Sequence, residues 1–229
     1  MQILNFLTPD ILYDLARGPF VWASFVVFIA GCLIRTIRIL SLTKKWEPTW
    51  NIPKPDKKDL SKIKKCPLAR IKLSVFGTSP VTMVISVVFH LLIFVIPLFL
   101  LGHNILLQEE TGISLFSFSQ GATNVLTLIF LFCALFFFLR RILLARMRAI
   151  STCYDYIIFF IAIAPFLTGI LAFYQPFNNY QTMIILHMLS GELMLIAIPF
   201  TKIFHMVFFF MGRFMLVGQH TLGRGTRTW

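Results

Sequence analysis

Long apolar runs alternate with short polar segments along the chain, and the apolar runs have the length of membrane-spanning helices. They lie at about 19–37, 81–107, 122–139, 156–174 and 186–210. A helix needs about 20 mainly apolar residues to cross the hydrocarbon core of a bilayer. In lipid every backbone N–H and C=O must find its partner inside the protein, which a helix achieves by itself. The pattern therefore predicts an all-α integral membrane protein, a bundle of five transmembrane helices.

Composition agrees with this pattern and limits the functions open to the chain. Of the 229 residues, 58% are hydrophobic and 13% are charged, which is too little polar surface for a water-soluble domain of this size. The net charge of +12 could indicate nucleic-acid binding, but the basic residues cluster in the segments between the apolar runs. That distribution is typical of membrane proteins, so we expect contact with membrane lipid and no nucleic acid.

The basic segments all fall on one side of the predicted membrane. The loop 41–80 holds ten Lys or Arg residues, and the segment 140–148 and the tail 212–229 are also basic. The loop between the second and third runs carries Glu109, Glu110 and no basic residue. Because basic loops stay on the cytoplasmic side, we predict a multi-pass protein of the bacterial cytoplasmic membrane, with its N-terminus periplasmic and its C-terminus cytoplasmic.

The pattern of hydrophobic and charged residues divides the chain into three predicted segments. Residues 1–18 are predicted to be an N-terminal interfacial segment, in which Thr8-Pro9-Asp10 starts a short helix. Residues 19–211 form the five-helix membrane domain, which includes the basic cytoplasmic loop 41–80. Residues 212–229 form a basic cytoplasmic tail.

The fifth run carries two histidines at matched positions of one predicted helix. His187 and His205 are 18 residues apart, which is five whole turns and about 27 Å along the helix axis. Both imidazoles therefore leave the same side of an ideal helix, one near each face of the membrane. Gly191 lies on that side and leaves room for a flat group to approach the backbone.

The second run carries two further histidines, whose depths match those of the fifth run. Because the two runs cross in opposite directions, His103 pairs with His187 near the outer face, and His90 pairs with His205 near the cytoplasmic face. Two helices that each supply one imidazole to one iron are how a helical bundle holds a bis-histidine haem b. We therefore predict two haems b, with these four histidines as axial ligands of the iron.

Two considerations leave alternatives open. His90 and His103 are 13 residues apart, about 140° around an ideal helix, so they face the same neighbour only if the helix kinks at Pro97. A histidine in a membrane helix also often does no more than hydrogen-bond to a neighbouring helix. A single-haem protein stays open on these grounds.

Two charged residues of the fifth run are candidates for supporting roles. Glu192, five residues from His187, can relay protons for a quinone near the outer haem, or it is a protonated carboxyl bonded to another helix. Lys202 can pair with a haem propionate, or it extends to the lipid headgroups. The four cysteines show no CxxC or CxxCH spacing, which leaves a zinc site, an iron–sulfur cluster and covalent haem attachment without support.

At these residues the chain resembles the membrane cytochrome b subunit of respiratory nitrate reductase, the gamma subunit. The matching residues are the histidine pair His90 and His103, the pair His187 and His205, and the stretch PFTKIFH that ends at His205. The run HLLIFVIPLFLLGH and the Lys-rich first loop look more like the branch found in sulfate reducers. That branch contains the membrane subunits of the high-molecular-weight cytochrome c complex, the tetrahaem cytochrome complex and the DsrMKJOP complex.

The resemblance implies a dihaem cytochrome b domain over residues 19–211 that transfers electrons across the membrane. Its implied partners are a periplasmic multihaem cytochrome c, a cytoplasmic heterodisulfide-reductase-like iron–sulfur protein and other membrane subunits, with menaquinone as a further candidate cofactor. Such a chain is an electron-transfer subunit of an oxidoreductase complex rather than an enzyme by itself, and no catalytic residue is assigned. The alternative is a quinone-reactive membrane anchor with one haem or none. A small transporter is disfavoured, because few polar residues line the spans.

Overall fold

The computed structural model describes residues 8–44, 79–176 and 179–209, and within these ranges the chain forms helices and short turns without any strand. Five helices are long and apolar enough to cross a membrane: Pro9–Leu42, Pro80–Phe99, Gln120–Leu143, Cys153–Tyr174 and Tyr180–Phe200. The prediction of an all-α multi-pass membrane protein with five spans is thereby confirmed. Most of the basic loop 41–80 and the whole tail 212–229 lie outside the described residues.

The described residues form two compact units, and the boundary between them falls within the fifth span. One unit contains residues 8–44 together with the residues from Met188 onward, and the other ends at His187.

The first span begins earlier than the apolar run indicated. Helix α1 (Pro9–Leu15) starts at the predicted signal, with Thr8 as its N-cap residue and Pro9 in its first turn. A π-helical turn (Ala16–Phe20) joins α1 to α2 (Val21–Lys44). The expected boundary after residue 18 lies inside this turn, where Pro19 lacks an N–H and the helix widens without ending.

The second span is interrupted near its C-terminal end. Helix α3 (Pro80–Phe99) is followed by Leu100 in an extended conformation (φ −70°, ψ 129°) and then by α4 (Leu101–Thr111). The expectation of one helix over 81–107 is therefore wrong in its last third. Pro97 removes one backbone donor from the final turn of α3, which weakens the helix at this point.

Three more helices complete the second unit up to the fifth span. They are α5 (Gln120–Leu143), the short α6 (Ala145–Ala149) and α7 (Cys153–Tyr174). Asp155 joins Thr152 in a capping box at the start of α7, as expected for an acidic residue in a first helical turn. The Arg141 guanidinium donates to the Asp155 carbonyl at 3.2 Å and thus connects the end of α5 to the start of α7.

The core of the second unit lies where α5 packs against both α3 and α7. Leu92, Ile96, Phe130 and Phe166 form its buried cluster. The Phe130 ring is completely buried, with its centroid 4.1 Å from that of Phe166 and 4.7 Å from that of Phe89. These ring contacts fix the relative positions of the three helices that lead to the histidines described below.

The fifth span, α8 (Tyr180–Phe200), ends earlier than expected. Thr201 is extended (φ −117°, ψ −174°), a 3-10 turn (Lys202–Phe204) follows, and residues 205–209 are again helical. The expectation of one continuous helix over 186–210 is therefore wrong, because Pro199 removes a backbone donor within the last turn of α8.

Large apolar side chains are exposed along the spans. On α2 alone, Val26, Ile29, Leu33, Ile34 and Ile37 each have more than half of their surface exposed. An apolar patch of this extent is typical of a helix surface that faces lipid.

Candidate functional site

His103 and His187 face each other within the second unit. Their ring centroids are 5.9 Å apart and their planes are inclined by only 17°. His103 lies at the start of α4, immediately after the interruption at Leu100, and His187 lies in the second turn of α8. The structure therefore brings together the two histidines that the depth argument paired near the outer face.

Backbone carbonyls determine the tautomer of both rings. His103 Nδ1 donates to the Pro97 carbonyl at 2.9 Å, a bond that spans the interruption of the second span. His187 Nδ1 donates to the Pro165 carbonyl of α7, also at 2.9 Å. A proton on Nδ1 leaves the lone pair on Nε2, and this is the arrangement by which proteins orient an imidazole toward a metal.

Gly169 makes the position of His187 possible. A Cβ at residue 169 would lie 3.0 Å from His187 Cε1 and 3.2 Å from His187 Nδ1. The imidazole therefore lies directly against the backbone of α7, between the Pro165 carbonyl and Gly169, where any larger residue would push it away. The Thr168 hydroxyl, 3.4 Å from His187 Nδ1, lines the same place.

The pair His103 and His187 also depends on the loop that follows α4. The Asn104 side chain is buried and donates to the Phe116 carbonyl at 3.2 Å and to Ser117 Oγ at 2.8 Å. The Phe118 N–H donates to the Phe99 carbonyl at 3.0 Å, which satisfies one of the last acceptors of α3. The interrupted helix end next to His103 is thus tied to the loop by three hydrogen bonds.

His90 and His205, the predicted inner pair, belong to different units, and the structure describes each in its own surroundings. His90 is exposed on α3, its Nδ1 is 2.7 Å from the Ser86 carbonyl, and its ring meets the Phe89 ring edge-on. His205 is exposed after the 3-10 turn, with Nδ1 2.9 Å from the Lys202 carbonyl. Both rings therefore have the same tautomer as the outer pair.

The orientations estimated for the histidines assumed continuous ideal helices, and they do not hold because the second and fifth spans are both interrupted. Since α8 ends at Phe200, the 18 residues from His187 to His205 are not five turns of one helix, and the same-side argument does not apply. Since Leu100 is extended, the angle of about 140° between His90 and His103 does not apply either.

The remaining predicted site residues lie in the first unit. A Cβ at Gly191 would meet nothing within 4 Å, so the backbone there borders open space. Glu192 is 7% exposed, and its Oε1 has no hydrogen-bond partner among the described residues. The Lys202 side chain is exposed, and its backbone carbonyl orients His205.

The donor set suits a haem better than a bare metal ion. Among the described residues, no three His, Cys, Asp or Glu side chains are grouped to hold a metal. A haem would need only two protein ligands for its iron, and His103 and His187 are the residues that would supply them. Two metal–imidazole bonds of about 2 Å each, with the ring radii added, separate coaxial ring centroids by about 6 Å. The 5.9 Å between the His103 and His187 ring centroids agrees with that distance.

Comparison with known proteins places the chain in a family. It is 34% identical to a protein of Nitratidesulfovibrio vulgaris (strain Hildenborough) over 233 aligned positions, which cover 95% of this chain and 97% of the relative. The chain belongs to the same family as this protein. Because the alignment covers nearly all of both chains, the family relationship includes the spans and the segments between them. The relative's name states no activity, so the family relationship brings no function with it.

The other two comparisons gave no match. No family model matches the chain. No solved structure matches it either.

Three residues of the site were not predicted from the sequence: Gly169, Asn104 and Arg35. Gly169 and Asn104 each interrupt an otherwise apolar stretch, which is a detectable signal but does not reveal the partner. The Arg35 guanidinium donates to the carbonyl of Pro199, in the last turn of α8, and to that of Thr201, immediately after the helix.

Proposed function

We propose that this chain is a dihaem b-type cytochrome subunit that transfers electrons across the bacterial cytoplasmic membrane. The observation that carries the proposal is the opposed pair His103 and His187, with near-parallel rings 5.9 Å apart and both Nδ1 atoms bonded to backbone carbonyls. Haem b supplies reversible one-electron reduction of its iron, and the protein supplies ligands, depth in the membrane and surroundings.

His103 and His187 are the residues that would hold the outer haem by binding its iron. The carbonyls of Pro97 and Pro165 accept from Nδ1, which leaves the lone pair of each neutral ring on Nε2, the atom that would bind the iron. Gly169 admits the His187 ring, and Asn104 holds the loop next to His103. These residues hold the two imidazoles in place.

His90 and His205 are the proposed ligands of the inner haem. Each carries its proton on Nδ1, bonded to a backbone carbonyl of its own segment. The tautomers support this assignment, and Lys202 is the proposed partner of a haem propionate. The distribution of basic residues supports a cytoplasmic position for this pair, because Arg140, Arg141, Arg146 and Arg148 mark that side.

The proposed electron partners follow from the resemblance to the nitrate reductase gamma-like family. They are a periplasmic multihaem cytochrome c or a quinone on one side, and a heterodisulfide-reductase-like iron–sulfur protein on the other, with other membrane subunits beside the chain. Glu192 is the proposed proton acceptor for a menaquinone, since its buried Oε1 has no partner within the described part of the chain.

Haem content and four alanine variants test the proposal. The purified wild-type chain is expected to carry two haems b with low-spin spectra. His103→Ala and His187→Ala should each lose the same haem, because each variant leaves that iron one protein ligand short. His90→Ala and His205→Ala should each lose the other haem. Pyridine haemochrome quantitation and reduced-minus-oxidised spectra measure both effects.

The same measurements separate the alternative function, a quinone-reactive anchor with one haem or none. Glu192 Oε1, which has no hydrogen-bond partner in the described part of the chain, favours a quinone site in either case. If His90→Ala leaves both spectral components unchanged, the inner haem has another ligand or does not exist. A fully loaded protein with one haem or fewer per chain contradicts the dihaem proposal.

A further inference from the structure

Arg35 contacts the broken end of the fifth span, and all of its described contacts lie within the first unit. Its Nη1 donates to the Pro199 carbonyl at 2.7 Å and to the Thr201 carbonyl at 3.0 Å. Its Cζ atom lies 4.4 Å from the centroid of the Phe204 ring. One guanidinium therefore binds the last turn of α8, the extended residue after it and the 3-10 turn that follows.

The interruption creates the acceptors that Arg35 satisfies. Carbonyls at the end of a helix have no intrahelical donor, and in a membrane no water replaces it. Pro199 and Thr201 lie on either side of Phe200, where the regular helix ends. The Thr201 carbonyl accepts from the Phe204 N–H at 3.4 Å, a long bond that leaves it able to accept from Arg35 as well. A planar guanidinium offers several donors in a fixed geometry and can serve both carbonyls, whereas an ammonium is a single compact charge.

Gly31 lets α2 approach closely enough for these contacts. It precedes Arg35 by one helical turn and so lies on the same face of α2. A Cβ at residue 31 would lie 2.7 Å from Pro199 Cβ and 2.8 Å from Pro199 Cγ, a distance that real side chains do not tolerate. The proline ring therefore rests on the bare backbone of α2, and the next turn of α2 supplies the arginine.

The segment that Arg35 holds is the one that orients His205. The Ile203 N–H donates to Thr201 Oγ1 at 3.2 Å, which starts the 3-10 turn at the residue whose carbonyl Arg35 binds. The turn then presents the Lys202 carbonyl to His205 Nδ1 at 2.9 Å. A continuous series of contacts thus runs from the guanidinium to the imidazole.

We propose that Arg35 is the positioning residue for His205: it holds the interrupted end of the fifth span and thereby sets where this imidazole lies. The inference rests on the proposed role of His205 as an inner haem ligand. Within the described residues no carboxylate pairs with Arg35, so its positive charge also remains beside this segment. A nearby cation favours the reduced form of a haem and raises its midpoint potential.

Three variants test this inference on the whole chain. Arg35→Gln should lose the His205-dependent haem component or lower its midpoint potential, while the component that depends on His103 and His187 stays unchanged and reports an intact fold. Arg35→Lys should keep the potential but weaken haem retention, because it keeps the charge and not the two-carbonyl geometry. Arg38→Gln, an exposed arginine on the same helix, is the matched control and should behave as wild type.

A second measurement does not depend on haem. His205→Cys is placed in a chain whose native cysteines are replaced by serine, with and without Arg35→Gln, and the rate of maleimide labelling is compared. We expect the rate to change when Arg35 is removed and to stay constant when Arg38→Gln is introduced instead. An unchanged rate with Arg35→Gln overturns the positioning role, whatever the haem content.

The two measurements separate failure of this inference from failure of the proposed function. If His205→Ala leaves the haem content of the wild-type chain unchanged, the proposed ligand role of His205 is wrong, and the labelling rate alone decides whether Arg35 positions residue 205. If His205→Ala removes a haem but Arg35→Gln alters neither spectrum nor potential, the function stands and the inference is overturned.

Discussion

At the scale of single residues, the site depends on where a side chain is missing as much as on where one is present. The His187 imidazole occupies the space next to Gly169, and Pro199 occupies the space next to Gly31. Gly191, the glycine that the sequence singled out, borders open space instead. Whether a side chain packs against a given glycine depends on which helix lies beside it. The residues next to that glycine in the sequence do not reveal which helix this is.

Gly169→Ala tests the first of these contacts. The added methyl would lie 3.0 Å from His187 Cε1, so the ring must shift and its bond to the Pro165 carbonyl must lengthen. We expect a shifted outer-haem spectrum and weaker haem retention, measured by absorbance after repeated detergent washing. Gly121→Ala is the control, since a Cβ there meets nothing within 4 Å. Wild-type spectra in both variants would mean that His187 does not lie against α7 in the loaded protein.

At the scale of elements, the second and fifth spans are interrupted in the same way. Each contains a proline, Pro97 or Pro199, shortly before an extended residue, Leu100 or Thr201, and a predicted ligand follows within a turn. The exposed carbonyls receive donors from outside the helix, from His103 in one span and from Arg35 in the other. A broken helix can orient an imidazole off the helix axis without leaving backbone groups unpaired in lipid.

Asn104→Ala tests the hydrogen bonds that connect the interrupted second span to the loop after α4. Its amide makes two hydrogen bonds, to the Phe116 carbonyl and to Ser117 Oγ, and the residue is 4% exposed. Loss of buried bonds of this kind costs about 1–3 kcal/mol of stability. We expect a lower thermal unfolding midpoint together with weaker binding of the haem at His103.

Gln108→Ala, at an exposed position of the same helix, is the control for this change and should leave both quantities near wild type. Equal effects of the two substitutions would show that α4 responds to any truncation and that Asn104 has no special role.

At the scale of the whole molecule, the charge distribution makes a prediction about sidedness. Cys153 is exposed at the start of α7, next to the arginine-rich end of α5, and should face the cytoplasm. Cys66, which lies outside the described residues, is predicted to face the same side. Glu110→Cys, in the loop without basic residues, should face the periplasm.

A membrane-impermeant maleimide applied to intact spheroplasts should therefore label Glu110→Cys and reach Cys153 and Cys66 only after permeabilisation. Labelling of Cys153 in sealed spheroplasts, with Glu110→Cys protected, would invert the topology. The pair His103 and His187 would then be the inner pair.

The sequence by itself determined the class of the protein, the number of spans and the histidines worth testing. These depend on hydropathy summed over about 20 residues and on the demand that lipid places on every backbone polar group, both of which are local. The tertiary structure decided where the spans break, which ring meets which backbone and what Arg35 binds. A proline weakens a helix locally, but whether the helix breaks depends on donors that arrive from other elements, as at the carbonyls of Thr201 and Phe99. Whether these donors reach the helix end depends on how the helices pack together, and the order of residues along the chain does not specify that packing.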